Sequence, residues 1–451
     1  MLKEDTIVAN ATPLVPSGVA IVRLSGKKAL EIGKTIFKTS KEIKARVAYF
    51  GKFYDTENNL IDEGLFLYFK APHSFTGEDV VEFHTHGSIP VVKKLINEAI
   101  KLGARLAQPG EFTKRAFLNG KIDLTQAEAI AQLIEAKTEK ASKVALNILE
   151  GKLSKQIKQL RDKLLHIESL IEAELNFPED VDEIPLETIK PDLEFVIENI
   201  NRLIKTYKKG RLITEGIKLA IVGRPNVGKS SLFNAFVGYE RAIVSDIKGT
   251  TRDFIEEEFN IKGFPVKLID TAGIREAKDK LEKIGIEKAK EKIDEADIIL
   301  FVFDASVGIT KEDKQVFNEI KHKNVIIIGN KIDLGIEENS IKDYFKNKEV
   351  IFTSSKTQEG LSLLEEKIVE KLGLLEDTDI DIYINIRHLQ ALEKAKEILE
   401  KILSELSFYE YQKEILMLEI REANYYLKEI IGEIHTEELL GNIFSSFCIG
   451  K

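Results

Sequence analysis

The stretch Ile217-Lys-Leu-Ala-Ile-Val222, running straight into Gly223-Arg-Pro-Asn-Val-Gly-Lys-Ser230, decides the architecture of the middle of this chain. An apolar run that gives way to a glycine-bounded loop ending in Lys-Ser reads as a strand, a phosphate-binding turn and the start of a helix. In that context glycines let successive backbone N–H groups face a β-phosphate, and the amino end of the helix adds positive potential. Lys229 is then placed to contact β- and γ-phosphate oxygens, and Ser230 to ligate Mg²⁺. Asn226, Val227, Gly228 and Ser231 complete the loop.

Working outward, four more apolar runs (Val266–Ile269, Ile298–Phe303, Val325–Ile328 and Val350–Phe352) alternate with helical segments as far as Gly373. The alternation predicts a parallel sheet wrapped by helices, a doubly wound domain over residues 216–374. Asn330-Lys331-Ile-Asp333, at the end of one of these strands, selects guanine over adenine, because Asp333 can accept from the N1–H and 2-amino groups that adenine lacks. Two lost hydrogen bonds to a charged group, at ~1.5–3 kcal/mol each, correspond to roughly 10²- to 10⁴-fold discrimination. Ser354-Ser355-Lys356, after the last strand, has the spacing to close over the base. Asp270-Thr271-Ala272-Gly273 ends a strand where a carboxylate can reach Mg²⁺ through water and a glycine N–H can meet a γ-phosphate. Ile274 follows where signalling GTPases carry glutamine, so another group must orient the attacking water; Arg252, Asp253, Arg275, Glu276 and Glu282 are the candidates.

The flanks have different periods. Residues 1–118 alternate short β-branched runs (Val19–Leu24, Glu63–Phe69) with helical stretches such as Lys27–Phe37 and read as a small α/β domain. From Leu124, apolar Ile130, Leu133, Ile134, Ala141, Val144 and Ile148 are spaced for one helix face, and helix continues to Phe177-Pro178. An acidic turn, Pro178–Glu183, precedes another helix from Ile189 to about Lys208; amphipathic helices return at Leu389–Leu406, Tyr411–Ile431 and Glu437–Phe444. The expected fold class is therefore multidomain, mixing α/β and all-α parts. An N-terminal α/β domain (1–118) is followed by a helical domain in two parts (119–215 and 375–451), with a Ras-like nucleotide domain (216–374) inserted between them.

At 451 residues the chain exceeds what one core supports, and two to four domains are expected. A formal net charge of −9 argues against a wholesale nucleic-acid coat; the basic stretches Lys205–Arg211 and Lys152–Lys163 are candidates for a local RNA-binding patch, with a solvated helix face the favoured reading of both. Met1-Leu-Lys-Glu-Asp-Thr6 lacks the order of a secretory signal and no apolar run is long enough to span a bilayer, which predicts a cytoplasmic protein with no membrane association. The lone cysteine, Cys448, excludes an internal disulfide framework and zinc ribbons. His84-Thr-His86 could supply two metal ligands, but no third is apparent; His86-Gly87 reads instead as shaping a turn.

Asp5-Thr-Ile-Val-Ala, Ser74-Phe-Thr-Gly-Glu-Asp79, Pro109-Gly-Glu-Phe112, Arg115-Ala-Phe-Leu-Asn119, Asp123-Leu-Thr-Gln-Ala-Glu-Ala129 and the tail Phe444-Ser-Ser-Phe-Cys-Ile-Gly-Lys451 join the nucleotide motifs in one pattern. Together with Asp246-Ile-Lys-Gly-Thr-Thr-Arg-Asp253, they resemble the MnmE (TrmE) family of tRNA uridine-modifying GTPases over nearly the whole chain. The resemblance implies a homodimer held by the N-terminal domain. With the flavoprotein MnmG (GidA), which carries the FAD, it would form a heterotetramer that installs a carboxymethylaminomethyl or aminomethyl group on C5 of the wobble uridine, U34, of certain tRNAs. A tetrahydrofolate in 5,10-methylene or 5-formyl form would supply the one-carbon unit, in a pocket using Arg23, Glu82, Lys121 and Lys451. A carboxylate suits the amino-pyrimidinone edge of the pterin, and cations suit its glutamyl carboxylates.

The resemblance further implies a K⁺ site from Asn226, with Ser245, Ile247 and Thr250 lining a loop around the ion, where an arginine finger would otherwise act. Asp246, Lys248 and Gly249 belong to the same nucleotide-binding loop, Thr251 matches the second Mg²⁺ ligand, and Glu282 matches the residue that orients the water network. Lys229, Thr251 and Glu282 are thus the expected catalytic residues, and Cys448 a candidate for chemistry by its place in the tail. Ser88 departs from the glycine expected after His86-Gly87. Two other function classes compete. A ribosome-assembly GTPase on rRNA would need an RNA module such as a KH fold after the nucleotide domain, and the helical carboxyl end offers none. A regulatory switch, with residues 1–118 as scaffold, would bind no folate.

Overall fold

The computed structural model describes residues 5–177, 179, 183–239, 258–269, 293–346, 348–374 and 381–451. The chain forms two compact units: one of Met1–Ile134, Asn147–Ile200 and Gln390–Lys451, the other of Glu135–Leu146 and Asn201–Leu389. The N-terminal segment and most of the helical flanks thus belong to one unit, and the nucleotide segment takes pieces of both flanks with it: Glu135–Leu146, the stretch from Asn201 to residue 215, and the stretch after residue 374 as far as Leu389.

The first unit is built on a six-stranded sheet in the order β3-β4-β5-β2-β1-β6: β1 Thr6–Asn10, β2 Ser17–Ser25, β3 Tyr49–Tyr54, β4 Leu60–Phe69, β5 Val80–Gly87 and β6 Ala104–Leu106. Strand and helix alternate as expected, but the sheet is mostly antiparallel, and only β1 and β6 pair in parallel. The period of two in β2 puts Ala20, Val22 and Leu24 on one face, where they pack with Phe66, Val81 and Phe83 against Ile32, Ile36, Val92 and Leu95 of helices Ala29–Ile36 and Ile89–Lys101. Arg23 of β2, Glu82 of β5 and Leu67 of β4 lie opposite one another in register and share the other face. His86 and Gly87 end strand β5 in a tight turn, with Ser88 N–H donating back to His86 O at 2.7 Å, and a Cβ at Gly87 would lie 2.0 Å from Ser17 Oγ on the neighbouring strand.

Helix breaks divide the expected long helical face into Leu124–Glu135, Glu139–Leu149 and Lys152–Asn176. Ile134, expected on the buried stripe, is 48% exposed at the end of its helix, because the break at Ala136–Thr138 takes it out of phase with Ala141, Val144 and Ile148, which are buried. Helix Lys152–Asn176 buries Ile157, Leu160, Leu164, Ile167 and Ile171, a three-four stripe, and packs on helix Lys413–Ile431, whose own stripe includes Leu416, Ile420, Ala423 and Leu427. Arg161 crosses this seam to Asn424 and Glu433, and Lys413 to Glu174. The expected acidic turn Pro178–Glu183 lies mostly outside the described residues.

The second unit holds a sheet in the order β12-β11-β10-β7-β9-β8: β7 Ile217–Val222, β8 Glu258–Ile261, β9 Phe264–Ile269, β10 Ile298–Asp304, β11 Val325–Asn330 and β12 Val350–Phe352. All five expected strands are present and parallel. The sheet is not wholly parallel, however: β8 adds an antiparallel edge through a two-residue turn, Lys262-Gly263, both with positive φ, the type I′ geometry that matches strand twist. Every residue of β10 is buried; Ile298, Leu300 and Val302 enter one core, Ile299, Phe301 and Phe303 the other, as a central strand with cover on both faces requires.

Candidate functional site

β7 is where the strand order reverses, and the glycine loop follows its carboxyl end, the place where an open parallel sheet leaves a crevice for ligands. Two glycines are demanded by packing. A Cβ at Gly223 would sit 2.1 Å from the Val302 carbonyl of β10, and one at Gly228 (φ +94°) 2.3 Å from Asn330 Nδ2. Three side chains hold the loop's carbonyls. Lys229, the first residue of helix Lys229–Tyr239, donates from Nζ to Gly223 O (3.0 Å) and Arg224 O (2.8 Å). Asn330 Nδ2 donates to Val227 O (3.0 Å), and Lys331 Nζ donates to Asn226 O (2.6 Å). Asn226 itself takes a left-handed backbone (φ +63°), and Ser230 and Ser231 are exposed on the first helical turn.

The base-reading segment is bonded into the same crevice. Asn330, ending β11, accepts at Oδ1 from Ser355 N–H (3.2 Å), Ser355 Oγ (3.0 Å) and Thr353 Oγ1 (3.3 Å). Asp333 follows in an exposed single turn, and its Oδ1 accepts from Ser354 Oγ at 2.7 Å. Lys356 is exposed beside them. Sequence reasoning missed Asp304 at the end of β10. Its burial disfavours charge, but hydrogen bonds from Lys331 (2.7 Å) and Ser306 outweigh that and keep its pKa below the ordinary carboxylate value. The signal was available: one acid closing an otherwise apolar strand, Ile298–Phe303. Residues Ser245 to Asp253, Asp270 to Gly273, Ile274, Arg275, Glu276 and Glu282 lie outside the described residues.

In the first unit, Arg23 Nε donates to Glu82 Oε1 at 2.8 Å, and His84 Nε2 meets Glu82 Oε2 at 3.0 Å. Burial opposes ionisation of Glu82, yet the bond to His84 and the charge of Arg23 hold its pKa below the usual value. The Arg23 guanidinium lies 6.0 Å from the centre of the Phe75 ring and 5.8 Å from that of Phe112. These two rings link the remaining pair of expected residues to Arg23. Phe75 and Lys121 line a cleft of about 490 Å³ with Arg46, Leu67, Phe69 and His73, and Lys121 Nζ also donates to Pro72 O at 3.0 Å. Phe112 donates its N–H to the Lys451 carbonyl at 3.2 Å. The tail is seated by its backbone: Ile449 bridges Pro109, Gly110 N–H reaches Cys448 O, and a Cβ at Gly450 (φ +98°) would lie 2.1 Å from Asn10 O. The Cys448 thiol is exposed. His86 pairs with Asp62 at 2.9 Å, and no cluster of three potential metal ligands occurs among the described residues.

The N-terminal sequence blocks also build an ionic network that sequence reasoning did not find. Arg115, 3% exposed at its side chain, donates to Asp5 Oδ1 (2.6 Å), Glu78 Oε2 (3.1 Å) and Glu111 Oε1 (3.1 Å). Arg105 bonds Asp5 and Glu111 as well. For both acids burial opposes charge and the arginines outweigh it, leaving their pKa values lowered. The network ties β1 and the Ser74–Asp79 loop to helix Glu111–Leu118, whose first turn carries Phe112.

A glycine loop at the switch point of a doubly wound sheet, bonded through Asn330 to a guanine-reading segment, defines a P-loop GTP-binding domain. Two family models match: the one described as MnmE helical domain over residues 124–448, and the one described as GTP-binding protein TrmE N-terminus over residues 6–121. The chain belongs to the MnmE family of tRNA modification GTPases. A relative from Aquifex aeolicus, tRNA modification GTPase MnmE, is 54% identical over 99% of this chain and 100% of its own length. Those from Fervidobacterium nodosum and Clostridioides difficile are 45% and 44% identical over 100% of this chain and 98% and 100% of theirs. A crystal structure of Era with MgGDPNP and a 16S ribosomal RNA fragment aligns with 40% of this chain and 66% of its own at 32% identity, with a TM-score of 0.29. The chain is a GTP hydrolase of tRNA modification. Among the described residues, no helix is long and apolar enough to cross a membrane.

Proposed function

We propose that this GTPase acts in the cytoplasm as a homodimer and, with the flavoprotein MnmG, forms the carboxymethylaminomethyl or aminomethyl group at C5 of the wobble uridine of certain tRNAs, with a tetrahydrofolate held by its first unit. The observation that carries the folate reading is the Arg23–Glu82 pair, on the sheet face opposite the packed helices, flanked by Phe75 and Phe112. The donor set fits the group. Glu82 kept ionised can accept from an amino-pyrimidinone edge, the exposed ring of Phe75 offers flat apolar contact, and Lys121 and Arg46 on the adjoining cleft can pair with glutamyl carboxylates. When bound, a 5,10-methylene or 5-formyl tetrahydrofolate would supply the one-carbon unit. Lys451 would add its charge through the seated tail, whose bond to Phe112 fixes where the chain ends.

For GTP hydrolysis, the loop residues Asn226–Ser231 would receive the phosphates. Lys229 would exchange bonds to neutral loop carbonyls for bonds to negatively charged phosphate oxygens. Ser230, exposed on the first helical turn, offers the hard oxygen that Mg²⁺ takes, and Asn226, exposed in its left-handed conformation, offers an amide oxygen to K⁺. Bound there, the two cations would neutralise charge developing on the β–γ bridge. Asp333 would accept from guanine, and Ser354, already bonded to it, would hold the carboxylate for that task. Roles for Thr251, Glu282 and the Ser245–Thr250 loop rest on their motif positions alone.

Mass spectrometry of wobble-uridine nucleosides tests the reading. Cells lacking the protein should lose the C5 substituent; the wild-type gene should restore it; and Glu82→Gln should not, while its product hydrolyses GTP at the wild-type rate and binds folate weakly in calorimetry. Unchanged nucleosides in the deletion strain would overturn the reading.

A further inference from the structure

One cavity of the second unit lies at the end of the sheet opposite the nucleotide loop. About 520 Å³ opens at the amino ends of β11 and β12, lined by Lys321, Lys323, Lys348, Lys367 and Lys371 against only Glu349 and Glu370. A second cleft of about 340 Å³ shares Lys348 and adds Lys342 and Lys346 against Glu338. Seven lysines thus face three glutamates along one continuous edge, in a chain whose net charge is −9. One of these lysines, Lys323, is held partly dry, and Lys348 is exposed but rests on an aromatic ring. Lys323 is 20% exposed at its side chain, and burial lowers its pKa although it pairs with Asp294. Lys348 Nζ sits 4.5 Å from the centre of the Phe317 ring, on a floor that Val325, Ile327 and Ile351 complete. A cation kept out of water gains most when an anion approaches.

We propose that this pair of basic clefts binds the sugar-phosphate backbone of the tRNA. Lysines are point charges without the planar fork that reads base edges, so they suit backbone contact, which positions an RNA and leaves its sequence unread. Two clefts joined at Lys348 suit a polymer better than a single phosphate. The place also fits: Val325 begins β11 and Asn330 ends it, so an RNA here lies about 17 Å, six residues of strand, from the nucleotide crevice and leaves it open. The proposal draws only on the family's action on tRNA and is independent of the folate reading.

The test uses the full chain and a fluorescent tRNA transcript with uridine at the wobble position, with anisotropy titrations between 50 and 200 mM KCl. Each lost lysine–phosphate contact removes about 0.7–0.9 from the slope of log K against log salt. Lys321→Ala/Lys348→Ala/Lys371→Ala should therefore flatten the slope by about 2–3 and weaken binding ~100-fold at 0.1 M salt, with GTP hydrolysis retained. Lys321→Ala/Lys371→Ala leaves the Lys348–Phe317 contact in place and should flatten the slope by about 1.5, which covers loss of folding in the triple variant. Wild-type affinity and slope in a folded variant would overturn the proposal. So would wild-type tRNA binding combined with lost modification in cells, which would give the clefts to an acidic protein.

Discussion

Asn330→Ala should damage both halves of the nucleotide crevice at once. Asn330 is 1% exposed, and its amide makes four hydrogen bonds: one to the Val227 carbonyl of the phosphate loop and three from Thr353 and Ser355 behind the guanine-reading turn. Alanine leaves the carbonyl of Val227, a fully buried residue, with no donor, at a cost of ~1–3 kcal/mol. The three bonds from the other loop are worth ~1 kcal/mol or less each, since Ser355 is only half buried and water takes up part of the loss. The sum, roughly 2–5 kcal/mol, is a large share of the roughly 5–15 kcal/mol that holds a domain together. Hydrogen-exchange mass spectrometry of the full chain should show faster exchange in peptides covering 217–239 and 325–356, and GTP affinity should fall at least ~tenfold, the equivalent of about 1.4 kcal/mol. Asn330→Asp separates the halves, because it keeps an acceptor for Ser355 and Thr353 but sets a carboxylate against the Val227 carbonyl. Its excess exchange should concentrate in the phosphate loop. Exchange and GTP affinity at wild-type levels in Asn330→Ala would refute the idea that this amide couples the two loops.

Asp333→Asn should shift preference from GTP to xanthosine triphosphate, whose 2-oxo group needs a donor; an unchanged ratio of the two affinities would show that Asp333 does not read the base. Arg115→Ala should destabilise the first unit by about 2–4 kcal/mol, since it takes Glu78's arginine away and leaves Asp5 and Glu111 to Arg105 alone at a site where the Arg115 side chain is 3% exposed; a shift under ~1 kcal/mol in urea unfolding would contradict the network. Asp5, Glu82 and Glu111 have lowered pKa values in the folded state, so the stability they contribute is present above the unfolded values near pH 4 and is lost as pH falls through the folded ones. Unfolding midpoints of the first unit should therefore hold from pH 7 to about 5 and drop below about 4, with Arg115→Ala flattening the drop. Hydrolysis of GTP should be fast in K⁺ and slow in Na⁺, and Asn226→Ala should remove the difference; equal rates in the two salts, with collapse on changing Arg252 or Arg275 to alanine, would install an arginine finger instead.

The sequence alone made much of the described part of the nucleotide domain legible. Its five parallel strands, its glycine loop and the Asn330–Asp333 and Ser354–Lys356 segments were legible because each is a local device: a run of apolar residues for a strand buried on both faces, a glycine where a Cβ would strike a neighbouring strand, a turn that ends a strand. The edge strand β8 escaped because four residues of modest pattern beside a Lys-Gly turn carry little periodicity. In the first unit the blocks around Asp5, Glu78, Glu111 and Arg115 could be recognised as a family pattern, but nothing local said that they meet. Their separations, up to 110 residues, are closed only when β1, the Ser74–Asp79 loop and helix Glu111–Leu118 pack together. The same holds for Arg23 and Glu82, 59 residues apart, which only the family resemblance brought together in the sequence and which the antiparallel register of β2 and β5 sets side by side. The lysine clefts at the far end of β11 and β12 likewise come from separate helices and strand ends. Local backbone chemistry is written within a few residues, whereas charge pairing and shared faces depend on which strands become neighbours, and only the tertiary structure decides that.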